Sequence, residues 1–132
     1  MSTTHNYYDD QFLSLSNYNK ISYLVYDKNT PYIVKHKEFI PFAFFESIKI
    51  ENFKLARSYM SDELSNKLSN AHLKKFFGQF LSVCLPLTQE NFDNQIALIY
   101  EEKQGNLKTK KIAKIFQIDL DYKNKIKNIV KE

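Results

Sequence analysis

The hydrophobic period of this chain changes at Gly78, and that change constrains the fold more than any other feature. Before Gly78, apolar residues recur every three or four positions; after it they alternate. A chain that reads first with period 3.6 and then with period 2 places helices ahead of a run of antiparallel strands. The expected class is therefore α+β, with N-terminal helices packed on one sheet.

The helical half has readable boundaries. Pro41 suits a first helical turn; Phe44 and Ile48 then share a face, as do Phe45 and Ile48. Ile50-Glu51-Asn52 interrupts the pattern, and Asn52 is a competent N-cap for a helix in which Phe53, Ala56 and Met60 line one side and Leu55 and Tyr59 a neighbouring strip. Ser61 followed by Asp62 and Glu63 reads as a cap with an acidic first turn, and Leu64 and Leu68 give that short helix its buried edge. Asn70 is expected to cap a last helix ending at Phe77, with Gly78 taking the left-handed stop.

Beyond Gly78, Leu81, Val83, Leu85 and Leu87 alternate with Phe80, Ser82 and Cys84. A second strand, 94–102, sets Ile96, Leu98 and Tyr100 against Gln95, Ala97 and Ile99. Lys103-Gln-Gly-Asn106 is a hairpin turn, after which Ile112, Phe116, Ile118 and Leu120 share one face of a long strand, with Ala113 and Ile115 on the other. Asp121–Asn124 makes the next turn and Lys125–Val130 the last strand, completing a meander of about four strands. With two glycines in the chain, positive φ should fall largely to Asn and Asp. Ahead of all this, residues 1–20 read as a peripheral arm with one apolar patch at Phe12, Leu13 and Leu15. Ile21–Tyr26 and Tyr32–His36 read as a hairpin or two extended segments. The expected organisation is a single domain, 1–132, with its core in 39–130.

Composition narrows the function classes. Hydrophobic residues at 43% and charged residues at 26% exclude disorder and permit an unaided core. The net charge of +4 invites a nucleic-acid partner, but Arg57 is the only arginine among 19 basic residues. Bidentate recognition of bases and phosphates favours arginine, so nucleic acid is set aside. Cys84 is the only cysteine, which rules out an intramolecular disulfide and points to a reducing, cytoplasmic setting. The first residues carry no basic stretch followed by an apolar run, and no segment reaches the roughly 20 apolar residues of a membrane helix.

The order of elements resembles the nuclear-transport-factor-2-like, or cystatin-like cone, superfamily. Ala43 to Met60 is similar to that superfamily's opening helical pair, which breaks at a short polar turn and resumes with an Ala-x-x-Tyr run, here Ala56-Arg-Ser-Tyr59. Leu64, Leu68 and Phe76-Phe77-Gly78 resemble the helix that packs into the mouth of the cone, and the Gly105 and Asp121–Asn124 turns its last hairpins. The resemblance covers about Phe39 to Val130. It implies a strongly curved antiparallel sheet wrapped around helices, an apolar pocket at the open end and a homodimer formed through the sheet. It does not choose among isomerases, dehydratases and plain binding modules.

The pocket expected from that resemblance is lined by Phe45, Tyr59, Phe76, Tyr100 and Phe116, and would hold a small apolar ligand. For acid–base chemistry the candidates are Asp62, which falls near the place of the isomerases' proton-transfer base, and His72, whose ring exchanges protons near neutrality. Against catalysis, the first helix offers Phe42, Phe44 and Phe45 where the isomerases use a tyrosine. Asp62 also reads as a first-turn carboxylate and His72 as an exposed histidine. His5, His36 and Cys84 have no metal-ligand spacing, and no phosphate loop or cofactor motif appears. The first expectation is a non-catalytic ligand-binding or protein-interaction module. The alternatives are a cofactor-independent isomerase- or dehydratase-like enzyme and an electrostatic adaptor that meets an acidic partner through Lys108, Lys110, Lys111, Lys114, Lys123, Lys125, Lys127 and Lys131.

Overall fold

Ile40 to Ile48 is buried on every side, so the first described helix is enclosed by what surrounds it. The computed structural model describes residues 34, 37, 39–84, 95–106 and 108–132. The expected arm, nearly all of the expected hairpin, and residues 85–94, which include Leu85 and Leu87, lie outside the described residues. Among the described residues, four helices come first: α1 (Ile40–Lys49), α2 (Phe53–Ser58), α3 (Asp62–Lys67) and α4 (Asn70–Phe77). Four strands follow: β1 (Ser82–Cys84), β2 (Gln95–Gln104), β3 (Lys108–Leu120) and β4 (Ile126–Lys131). They form one antiparallel sheet in the order β1-β2-β3-β4, giving the α+β class.

The helix starts follow their caps. Asn52 accepts from the Leu55 N–H at 3.2 Å and Ser61 from the Leu64 N–H at 3.2 Å. The cap of α4 is Ser69 rather than the expected Asn70: the Ser69 hydroxyl accepts from the His72 N–H at 3.1 Å while His72 Nδ1 accepts from the Ser69 N–H at 3.4 Å. This reciprocal pair satisfies two of the helix's free donors. It leaves Asn70 as the first helical residue. α2 also ends earlier than expected, at Ser58, because β4 captures the residues beyond it. The Ile126 N–H donates to the Tyr59 carbonyl and the Ser61 N–H to the Ile126 carbonyl, both at 2.8 Å, so Met60 pairs with β4 instead of extending the helix. Lys125 Nζ donates to the Ser58 carbonyl at 2.6 Å, closing the end of α2.

The two sheet faces follow from register. Val83, Leu98 and Lys114 lie side by side, as do Ile96 with Phe116 and Ile118 with Ile129. This inner face joins the helices in one apolar cluster, to which the opposite-face residues Ala97, Ile99, Ala113 and Ile115 do not belong. The expected alternation fails at the start of β1: Phe80 is buried and Leu81 exposed, where the Leu81 N–H bonds the Ile99 carbonyl at 2.7 Å although Ser82 lies opposite Ile99. At the last turn, Asp121 Oδ1 accepts from the Lys123 and Lys125 N–H groups at 2.8 and 2.9 Å, and Asn124 takes φ +61°. Glu51, at φ +59° between α1 and α2, departs from the expectation that Asn and Asp carry such positions.

Gly78 sits at φ +67° and ψ −160°, a region essentially closed to other residues. A Cβ there would meet only Tyr100 at 3.9 Å, an ordinary contact, so the constraint is the backbone. Gly78→Ala is expected to lower stability by about 1–3 kcal/mol, read as a shift of the urea midpoint. An unchanged midpoint would show that the α4–β1 link relaxes freely.

Candidate functional site

The inner face of the sheet meets the helices through a cluster of aromatic rings. Phe77, at the end of α4, lies 5.2 Å from Phe45, 5.5 Å from Phe116 and 6.1 Å from Phe44, centroid to centroid, each edge to face. Phe45 and Phe116 are 5.7 Å apart. Of the five residues expected to line a pocket, Phe45 and Phe116 are fully enclosed in this cluster. Phe76 stands at its edge, 56% exposed, with its ring 6.2 Å from Phe116. Tyr100 joins the cluster by donating its hydroxyl to the Phe77 carbonyl. Tyr59 is buried and engaged elsewhere: its hydroxyl accepts from the Val34 N–H at 3.0 Å.

Half-burial raises the Tyr100 phenol above the ordinary tyrosine pKa, because desolvation disfavours the phenolate. A raised folded-state pKa means that the contribution to stability is complete below the unfolded value of about 10. It is lost as pH rises through the folded value. Tyr100→Phe should therefore flatten the loss of stability above about pH 10 relative to wild type. Urea titrations of both proteins across that range test it, and parallel curves would contradict it.

The acid–base candidates do not converge. Asp62 is exposed in the first turn of α3, and His72 is exposed and committed to the cap of α4. Among the described residues, no group of three or more His, Cys, Asp or Glu side chains is placed to hold a metal ion, and no helix is long and apolar enough to cross a membrane.

A cleft of about 460 Å³ opens on a different side, between the end of α1, the start of α2 and the Gly78–Leu81 link. Ile48, Phe53, Phe80 and Leu81 supply its apolar wall, and Lys49, Glu51, Lys74 and Glu101 its charged rim. Lys74 Nζ and Glu51 pair across it at 2.9 Å. None of the five expected pocket residues lines this cleft. Its position was hidden in the sequence because it depends on how the Gly78–Leu81 link turns back over α1, although Gly78 itself marked the turn.

The sheet's other face bears no described helix. At its centre Ala97 lies opposite Ile115 and Ile99 opposite Ala113, with Val130 opposite Gln117 on the next strand. Val130 is 45% exposed, and polar Gln95, Gln117 and Glu132 frame the patch, with Gln95 Nε2 donating to Glu132 at 2.8 Å. No protein-family model, no curated protein and no solved structure matches the chain.

Proposed function

We propose that this chain is a non-catalytic interaction module that works through its sheet, pairing with a second copy across the face that bears no described helix. The observation that carries this reading is the apolar centre of that face: Ile99, Ala113, Ile115 and Val130 lie together outside the helix-covered cluster, inside a polar frame. Apolar groups gathered this way gain most when a partner removes them from water. The inner face supports the same reading, since ring-to-ring contacts of Phe45, Phe77 and Phe116 join the described helices to the sheet. Curvature of the sheet into a cone, as the resemblance implies, belongs to the proposal and would turn that face outward. Asp62 and His72, each at the start of a separate helix, give the isomerase-like alternative no acid–base pair.

Sedimentation equilibrium tests the reading. The wild-type chain is expected at twice its 15.7 kDa mass. The double variant Ile115→Asp/Val130→Asp should weaken the dimer by about 100-fold or more, since each buried carboxylate lacks a partner. A wild-type protein that stays monomeric at high concentration would overturn the proposal.

A further inference from the structure

β3 runs on well past the end of β4. The last pairing between them sets Lys131 opposite Phe116, and the Glu132 N–H donates to the Ile115 carbonyl at 2.9 Å. From Lys114 back to Lys108, β3 continues with β2 paired along one side, as far as Gln104 opposite Lys108. Among the described residues, no strand pairs with its other side. Backbone groups in a strand alternate in direction, so the carbonyl of Ile115, which faces β4, fixes the parity. Ala113, Lys111 and Thr109 then present their N–H and C=O groups to the same open side.

We propose that this edge, Lys108 to Lys114, is a docking site for an acidic, extended polypeptide segment of another protein, added as a fifth strand in line with β4. Main-chain bonds to Thr109, Lys111 and Ala113 would hold the segment, and charge would select it. Lys108, Lys110 and Lys111 are exposed, and half-buried Lys114 lies over the Tyr100 ring at 4.5 Å. Opposite charges across adjacent strands stabilise pairing and like charges oppose it. A second copy fits this edge poorly: antiparallel self-pairing centred on Lys111 sets Lys108 against Lys114, and centring one residue further on, at Ile112, sets Lys110 against Lys114. A nucleic acid fits it poorly too. Phosphates offer acceptors but no donors, which strands the carbonyls of Thr109, Lys111 and Ala113. An acidic peptide supplies donors, acceptors and negative charge together. Lysines that guard an edge against self-association thereby also define what it accepts.

The test uses the full chain and a fluorescein-labelled peptide of alternating Glu and Val, about ten residues long, enough to span the edge. The same peptide with Lys for Glu and a single-stranded oligothymidylate serve as comparisons. Anisotropy should show binding of the Glu–Val peptide that weakens with salt, and no binding of the Lys–Val peptide. Amide exchange at Thr109, Lys111 and Ala113 should slow at least about tenfold at saturation. Lys110→Glu/Lys111→Glu should weaken binding by at least about tenfold. Ala113→Pro keeps the charges and removes one edge N–H, so it should weaken binding without changing the salt dependence. Repeating the titration in Ile115→Asp/Val130→Asp separates this edge from the proposed dimer face: binding should persist there. Failure of the Glu–Val peptide to bind at low salt overturns the proposal. Equal binding of oligothymidylate, or peptide binding that leaves the three amides unprotected, overturns it as well, leaving charge alone.

Discussion

Phe77→Ala is expected to cost about 3–5 kcal/mol, the range for truncating a buried aromatic in a close-packed core. Against a total stability of roughly 5–15 kcal/mol for an ordinary domain, that loss leaves the chain at the margin of folding. The size follows from position. Phe77 is almost wholly buried, touches the rings of Phe44, Phe45 and Phe116 from three directions, and offers its carbonyl to Tyr100. Removing the ring opens a cavity between α4 and the sheet that α1, itself buried all round, cannot move in to fill. Phe77→Leu should cost about 1 kcal/mol or slightly more, because much of the volume is kept. Its neighbour supplies the control. Phe76 is on the same helical turn and 4.9 Å from the Phe77 ring, but 56% exposed. Phe76→Ala should therefore move the urea midpoint far less. If the two alanine variants lost equal stability, the cluster described here would not be what joins α4 to the sheet.

The sequence carried the local signals well and the long-range ones poorly, for a physical reason in each case. Asn52 and Ser61 could be read as caps because a cap bonds a backbone N–H three residues ahead, and sequence spacing determines that reach. Gly105 and the Asp121–Asn124 turn were legible for the same reason. Ser69 was missed because the capping box is usually closed by Glu or Gln, and here His72 closes it with a ring nitrogen. The early end of α2 could not be seen, since it depends on Ile126, far along the chain. Periodicity correctly put Ile96, Leu98, Phe116 and Ile118 on one face. It missed the exchange of Phe80 for Leu81, because Leu81 and Ser82 both face Ile99 and break the alternation there. At the candidate site, the rings of Phe45 and Phe76 lie 5.7 and 6.2 Å from that of Phe116. Phe77 fills the space between Phe45 and Phe116, so these rings are packed core.

The chain's only arginine shows how far such packing can redirect a residue that composition had assigned to argument about partners. Arg57, on α2, donates from Nε to Asn70 Oδ1 at 2.9 Å, from Nη1 to the Ser65 carbonyl and hydroxyl at 2.8 and 3.0 Å, and from Nη2 to the Leu68 carbonyl at 2.6 Å. The guanidinium thus closes the C-terminal end of α3 and grips the first residue of α4. A six-residue helix such as α3 leaves its last carbonyls without intrahelical partners. A cation at that end also suits the helix dipole. Arg57→Ala is expected to cost about 2–3 kcal/mol, since hydrogen bonds to a charged group are worth more than neutral ones. Water can reach these half-buried carbonyls, so the penalty stays below that of a sealed core. Arg57→Lys should recover only part of the loss, because one ammonium cannot span acceptors that a planar fork reaches together. Amide exchange should then quicken across Leu64 to Leu73 in both variants while Phe116 and Ile118 in β3 keep their protection. Uniform quickening across the sheet would mean that Arg57 supports the whole core, and unchanged exchange at Leu64 to Leu73 would mean that the two short helices stand without it.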